Sequence, residues 1–160
     1  SHITLCNKGE PRMKQVEVLA QIGEYCAADA YRMISDFQRY PHYSKAVRAV
    51  TILESSPDYS ISTWEVNFRQ GILQWTEEDR FDRNNGTIHF NQLEGDAEHF
   101  SGHWRVIEQG SLCQVQFLAL FDMGIPTMSD IIEPIAERAL RENIQSIIEG
   151  LFSGRVVYLN

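Results

Sequence analysis

The chain has little basic charge and no long apolar run. Lys and Arg number 14 against 22 Asp and Glu, which gives a formal charge of -8 and a pI near 5.1. Nucleic acids and anionic membranes are bound through clustered Lys and Arg, so this composition argues against both partners. We also expect no transmembrane segment and no signal segment, because no apolar stretch has the required length or flanks. A small hydrophobic ligand is the expected partner.

The sequence also lacks the usual marks of metal, disulfide and phosphate sites. Its three cysteines are odd in number and far apart, unlike a zinc site or a disulfide framework. His99 and His103 fall in a predicted strand, on the face opposite Trp104, with no third ligand nearby in sequence. No glycine-rich phosphate loop and no serine nucleophile elbow is found. We therefore expect a cytoplasmic protein with reduced thiols, no metal and no cofactor.

One long amphipathic stretch is present near the end of the chain. Between Met128 and Leu151 apolar residues recur at intervals of three and four, which predicts a helix with one broad buried face. Thr127 or Ser129 is expected to cap it, and Pro134 lies early enough to be tolerated. Asn143 falls inside the apolar arc, where an amide needs a partner in the protein or in a ligand.

Seven shorter stretches alternate with period two and are separated by turn residues, which predicts an antiparallel meander. The predicted fold is α+β: a curved seven-stranded antiparallel sheet wrapped around the long C-terminal helix, with two short helices after the first strand. We expect residues 1–13 to be disordered or tag-derived, 14–152 to form one domain and 153–160 to be a tail. The predicted strands are Lys14–Ile22, Val47–Glu54, Tyr59–Phe68, Ile72–Asp82, Thr87–Leu93, Glu98–Ile107 and Leu112–Asp122, and the short helices are Ala27–Phe37, ended by Tyr40-Pro41, and a turn at His42–Lys45.

Alternation also predicts which side chains face the helix. In the strand that contains WTEEDRFD, Glu77 and Asp79 share parity with the apolar Trp75, so two carboxylates are predicted on the apolar face. A carboxylate placed there loses hydration, its pKa rises, and it becomes able to exchange protons near neutral pH. A bulge in TEEDR would reverse the parity and bring Arg80 inside instead. Both registers remain open at this point.

A curved sheet too large for one helix to fill leaves a cavity, and an aromatic cavity with a few polar groups is the usual form of a small-molecule site. Parity in the following strand brings Gln92 and Glu94 inward as further polar groups. The predicted ligand-contacting residues are Tyr40, Trp64, Phe68, Trp75, Phe90, Gln92, Glu94, Trp104, Phe121 and Ile147.

The order of elements and several local sequences resemble the START-like helix-grip superfamily, also called birch-allergen-like. These sequences are DFQRYPHY, WTEEDRFD, NQLEGDAEHFSGHWRV, FDMGIP and ALRENIQSIIEGL. The resemblance covers about residues 14–151. Within the superfamily the chain looks most like polyketide cyclase/aromatase domains and, slightly less, like coenzyme Q-binding START proteins.

The resemblance implies a pocket that contains Trp75, Trp104, the Tyr40-Pro41 pair and Asn143. Cyclases of this kind typically place an arginine four residues after the first tryptophan, where it polarises carbonyl groups. Here that position is Asp79, and Arg80 is displaced by one. The candidate catalytic residues are therefore Asp79, Glu77, Arg80 and Asn143.

Two functions are compatible with these features. The first is a cofactor-independent cyclase or aromatase that promotes cyclisation and dehydration of a poly-keto or aromatic molecule by acid/base assistance. The second is a non-catalytic carrier of a quinone, lipid or other apolar metabolite. Presentation of the substrate by an acyl carrier protein, and a homodimer, are further expectations.

Overall fold

The protein, described here as a computed structural model over residues 13–125 and 128–160, has the predicted α+β helix-grip architecture. Its strands form one antiparallel sheet in the order β2-β3-β4-β5-β6-β7-β1-β8. The strands are β1 Lys14–Ile22, β2 Val47–Ser56, β3 Tyr59–Phe68, β4 Gly71–Asp82, β5 Thr87–Gly95, β6 His99–Gln109, β7 Leu112–Asp122 and β8 Val156–Tyr158. The helices are α1 Ala27–Ser35, the 3-10 turn Phe37–Arg39, α2 Tyr40–Tyr43 and α3 Ser129–Leu151.

Helix α3 supplies the side of the core opposite the sheet. Its buried residues Ile144, Ile147 and Ile148 belong to the same apolar cluster as the inward side chains of the strands. The helix runs without interruption through Pro134, as predicted. The predicted cap at Thr127 or Ser129, and all but Met13 of the predicted N-terminal segment, lie outside the described side chains. Among the helices that the structure describes, none is both long and apolar enough to cross a membrane.

The sheet contains one strand more than the seven predicted. Strand β8 pairs with residues 20–22 of β1, inside the segment predicted as a tail. Asn160 extends this edge, because its side chain accepts from Leu19 N at 2.9 Å and donates to Glu17 O at 3.0 Å. Tyr158 ties the strand to α3 by donating to Gln145 O at 3.2 Å. Three residues of Val-Val-Tyr are too few to establish a period, so the sequence pattern did not reveal this strand.

The connection after β1 differs from its prediction at the end of the first helix and at the position of the second, which is Tyr40–Tyr43 rather than His42–Lys45. Helix α1 ends at Ser35 rather than Phe37, because Asp36 leaves the helical region at φ -89° and ψ 70°. Tyr40 itself is helical, at φ -55° and ψ -42°, and Pro41 lies in the first turn of α2. Proline therefore begins the second helix here, where its missing N–H costs nothing, instead of ending the first. The effect is to direct Tyr40 into the core, where it is 1% exposed.

Candidate functional site

A cavity of two adjoining chambers lies between α3 and the concave face of the sheet. The cavity volume, counted as the space that the centre of a water molecule can occupy, is about 70 Å³ in the outer chamber and about 60 Å³ in the inner one. Both exceed the space that one buried water needs. The chambers meet at side chains that line both of them, which are Val66, Trp75, Phe100, Leu140 and Asn143.

Aromatic rings form most of the inner wall. All three tryptophans of the chain line the inner chamber. Trp64 and Trp75 stand opposite each other on β3 and β4 and stack with centroids 5.8 Å apart at 2°. Trp104 packs edge-on against Phe117 at 4.8 Å. Rigid aromatic walls of this kind favour flat or apolar ligands.

The carboxyl group of Glu77 is the ionisable group on this aromatic wall. Glu77 follows Trp75 with the same parity on β4, is 4% exposed and lines the inner chamber. Its Oε1 accepts a hydrogen bond of 2.7 Å from the indole Nε1 of Trp75. The predicted inward orientation of Glu77 is therefore confirmed. Its side chain is held by one of the rings that form the cavity wall.

Asp79 lies one alternation further along β4 and behind Glu77. It is fully buried, as predicted, but it is not among the residues that line either chamber. Its Oδ2 accepts from Ser60 Oγ at 2.9 Å and from Ser62 Oγ at 2.7 Å. Ser62 Oγ in turn accepts from Trp64 Nε1 at 2.8 Å, so both stacked tryptophans are connected to the carboxyl pair. Among the described residues, the other oxygen, Oδ1, has no hydrogen-bond partner.

Burial raises the pKa values of both carboxyl groups. It raises the pKa of Glu77 well above its ordinary value, and the adjacent Asp79 raises it further, against the Trp75 hydrogen bond. Burial also raises the pKa of Asp79, while the hydrogen bonds that it accepts from Ser62 and Ser60 act in the opposite direction. The site therefore favours a protonated Glu77 beside Asp79.

Tyr40 closes the inner end of the chamber with an occupied hydroxyl group. Its OH donates to Ile34 O at 2.6 Å. Burial, followed by the charges of Glu77 and Asp79, raises the pKa of Tyr40 well above its ordinary value, so the phenol stays neutral. Tyr40 acts here as an apolar wall.

The other predicted ligand-contacting residues divide between the two chambers. Asn143 lines both and donates from Nδ2 to Asn67 O at 3.1 Å, so it has the internal partner that its position requires. Gln92 is half-buried and donates to Ala97 O at 2.8 Å. The outer chamber contains Phe68, Gln92 and Phe121, and the inner one contains Tyr40, Trp64, Phe90, Trp104 and Ile147.

A family model matches most of the sequence. The family described as "Polyketide cyclase / dehydrase and lipid transport" matches residues 24–148, which include the acid pair and both chambers. The chain belongs to this family. No curated protein sequence matches it.

Solved structures of other proteins have the same fold as this member of the family. TTHA0849 from Thermus thermophilus is 21% identical with a TM-score of 0.81, over 88% of this chain and 96% of that one. The Zhui aromatase/cyclase from a Streptomyces species is 19% identical with a TM-score of 0.81, over 89% and 93%. A START superfamily protein from Mycobacterium smegmatis is 15% identical with a TM-score of 0.70, over 88% and 97%.

Arg80, which was predicted as an alternative cavity residue, lies outside the cavity. Its side chain is 66% exposed on the outer face, 3.7 Å from Glu78, and its guanidinium lies 5.0 Å from the centre of the Tyr59 ring. Strands β3 and β4 pair without a register shift from Tyr59↔Arg80 to Phe68↔Gly71, so no bulge reverses the parity. The register that would bring Arg80 into the cavity is wrong.

The prediction that Glu94 faces inward is also wrong, because this residue is exposed. The β4–β5 register passes from Glu77↔Gln92 to Thr76↔Glu94, so β5 contains one extra residue, Leu93. A bulge of this kind reverses the alternation beyond it. Gln92 stays opposite the inward Glu77, whereas Glu94 lies opposite Thr76 on the other face.

Two functional residues were missed, although the sequence contained their signal. Ser60 and Ser62 have the parity of Trp64 on β3, and both are buried against Asp79. Applying the alternation rule to polar as well as apolar residues in SISTWEV would have placed them on the inner face.

Proposed function

We propose that this protein is a cofactor-independent acid/base catalyst that promotes cyclisation and dehydration of a hydrophobic keto or aromatic small molecule, in the manner of a polyketide cyclase. One observation carries the proposal: the Glu77 carboxyl group lines an aromatic chamber, where burial and the adjacent Asp79 raise its pKa. Groups whose pKa is raised by burial and a like charge are suited to proton transfer near neutral pH.

The proposed reaction moves one proton between the ligand and the carboxyl pair. When Glu77 is ionised, its carboxylate removes a proton from a methylene group next to a carbonyl, and the C–H electrons form the enolate. The enolate carbon then bonds to a second carbonyl carbon of the same molecule. Glu77 returns the proton to the resulting alkoxide, and loss of that hydroxyl with a neighbouring hydrogen releases one water. No redox partner is needed.

Asn143 is suited to holding a carbonyl oxygen during this step. It lies where the chambers meet, and one of its two Nδ2 hydrogens is used by Asn67 O. The second hydrogen is available to a ligand that spans both chambers. Asp79 contacts no ligand in this scheme, so it acts as a positioning residue that sets the protonation state of Glu77. A carrier protein as donor, a homodimer and a cytoplasmic location remain predictions.

The second candidate function is a carrier of an apolar metabolite. It is supported by the apolar character of the walls, because one ionisable side chain, Glu77, is described on the inner chamber besides the hydrogen-bonded Tyr40. In a carrier, Glu77 would orient a head group without exchanging protons with it.

Proton exchange separates these functions without knowledge of the natural substrate. In D2O, the α-hydrogens of 2-tetralone, a neutral bicyclic ketone, are followed by proton NMR with and without protein. We expect wild-type protein to accelerate their loss, and Glu77→Gln to reduce that acceleration by about 100-fold or more, the size of a lost general acid/base.

The matched control is Glu78→Gln, because Glu78 is the neighbouring carboxylate on the outer face, bonded to Tyr59 OH at 3.3 Å. It should exchange at the wild-type rate. Asp79→Asn should shift the pH profile of exchange to lower pH, because it removes two of the causes that raise the Glu77 pKa. Binding of 2-tetralone without any acceleration of exchange would contradict catalysis and favour the carrier.

A further inference from the structure

The charges around the cavity are of one sign. The residues that line the two chambers include Glu77 inside and Asp96 at the outer end, and Asp79 lies behind Glu77. Among the described residues, neither chamber is lined by a lysine, arginine or histidine. The nearby Arg80 points to the outer face. A ligand carboxylate or phosphate would therefore meet repulsion at the inner chamber and no compensating cation.

The faces of the rings in the inner chamber carry further negative potential. Trp64 and Trp75 stack 5.8 Å apart, and Tyr40 lies edge-on to Trp64 at 5.5 Å. Trp104 lies edge-on to Tyr40 at 6.4 Å. Three indoles and a phenol thus surround one chamber, and aromatic faces attract cations, tryptophan most strongly.

The hydrogen bonds leave the carboxyl pair without a neutralising charge. Glu77 receives a neutral N–H from Trp75, and Asp79 receives neutral hydroxyls from Ser60 and Ser62. These donors are dipoles and carry no net charge. Ionisation of either buried carboxyl group is therefore unfavourable unless a cation approaches it.

We propose that the ligand of this cavity carries a positively charged nitrogen, an amine or ammonium group, that lies in the inner chamber against Glu77 and the aromatic wall. The proposal rests on the proposed function only in using the same cavity. It names the substrate class more closely: a hydrophobic keto or aromatic molecule with a basic nitrogen, rather than a free acid. The cation offsets the charge of the pair, and the rings replace part of its hydration shell.

Binding of two isosteric probes tests this inference. Phenyltrimethylammonium and tert-butylbenzene have nearly the same shape and differ by the charge on the central atom. All three tryptophans line the inner chamber, so quenching of tryptophan fluorescence reports occupancy directly. We expect wild-type protein to bind the cation at least about 10-fold more tightly than the neutral isostere, within the range of cation–π and carboxylate attraction.

Glu77→Gln should reduce this preference to about 3-fold or less while leaving the affinity for tert-butylbenzene unchanged, because the rings remain, the carboxylate on the chamber wall is lost, and Asp79 does not line the chamber. Glu78→Gln, on the outer face, should keep the wild-type ratio. Circular dichroism establishes that each variant is folded; if Glu77→Gln is not, the wild-type ratio decides by itself. Equal or tighter wild-type binding of tert-butylbenzene would overturn the inference, as would an undiminished preference in folded Glu77→Gln.

The two proposals fail in different ways. Accelerated exchange of 2-tetralone without a preference for the cation would leave the acid/base function standing and refute the charged ligand. A clear preference for the cation without exchange would leave an amine-binding carrier. The probes differ in each assay, so one result does not determine the other.

Discussion

At the scale of single residues, the site depends on two carboxyl groups with the same parity but different depths. Glu77 lines the inner chamber, whereas Asp79, two residues further along the strand, is enclosed by Ser60 and Ser62. Alternation identified the correct face for both. Alternation does not tell whether an inward side chain lines the cavity, because the limits of the cavity are set by the neighbouring strand and helix. The sequence therefore predicted the pair, and the structure separates Glu77, which lines the cavity, from Asp79, which is buried outside its lining.

The raised pKa of Glu77 leads to a prediction about stability. In the unfolded chain a glutamate side chain has a pKa of about 4.3. In the folded protein burial and Asp79 raise the pKa of Glu77, so the folded state keeps a proton that the unfolded state releases. The stabilisation from this bound proton is complete below the pKa of the unfolded state and is lost as pH rises through the pKa of the folded state. Gln at position 77 cannot titrate, so the stability of Glu77→Gln relative to wild type should increase from pH 5 to pH 8.

Urea unfolding of wild type, Glu77→Gln and Glu78→Gln at both pH values measures this difference. The Glu78→Gln protein should follow the wild-type trend, because its side chain points to the outer face. A constant difference between wild type and Glu77→Gln at the two pH values would contradict a raised pKa at Glu77.

At the scale of elements, the sequence predicted all seven long strands and the long helix, because each is long enough to show its period. The errors are local. A single extra residue, Leu93, reversed the alternation before Glu94, and β8 is too short to show alternation. Both features are defined by pairing with another strand, which period two within one strand does not encode.

A close approach of α3 to α2 gives an element-scale prediction. A Cβ placed on Gly150 would overlap the backbone oxygen of Tyr43, which cannot move aside as the end of a side chain can. Alanine is better than glycine by about 1 kcal/mol in a helix interior. At this contact we expect the reverse sign, a loss of about 1–3 kcal/mol from overpacking, measured by urea unfolding.

Gly23→Ala is the control for this substitution. No heavy atom lies within 4 Å of a Cβ built on Gly23, and its backbone is not in the left-handed region. We expect a change within about 0.5 kcal/mol. If Gly150→Ala were as stable as wild type, α3 would not be held against α2 as closely as described.

At the scale of the whole molecule, the sheet and α3 enclose a cavity because their apolar faces are not matched in area. Strands β3 to β7 all contribute wall residues, whereas α3 contributes Ala136, Leu140, Asn143, Ile144 and Ile147. Trp75 on β4 is the largest of the five side chains that line both chambers. Its removal would therefore free the most volume where the two chambers meet.

Truncation of Trp75 should therefore change the cavity most for the smallest loss of stability. It is half-buried, so Trp75→Leu should lower the free energy of unfolding by about 1–3 kcal/mol, less than a fully packed tryptophan. The change should join the two chambers and raise the affinity for 9-fluorenone, a flat tricyclic ketone, relative to the bicyclic 2-tetralone, as measured by equilibrium dialysis.

Trp104→Leu is the comparison, because Trp104 is 5% exposed and packs against Phe117 at 4.8 Å. We expect it to cost more stability, about 3–5 kcal/mol, since a buried indole leaves a larger cavity among close-packed neighbours. It should widen the inner chamber without joining it to the outer one, so the ratio of the two ketones should change less than in Trp75→Leu. The reverse order of the two variants, in stability or in ketone ratio, would mean that Trp104 rather than Trp75 limits the size of the ligand.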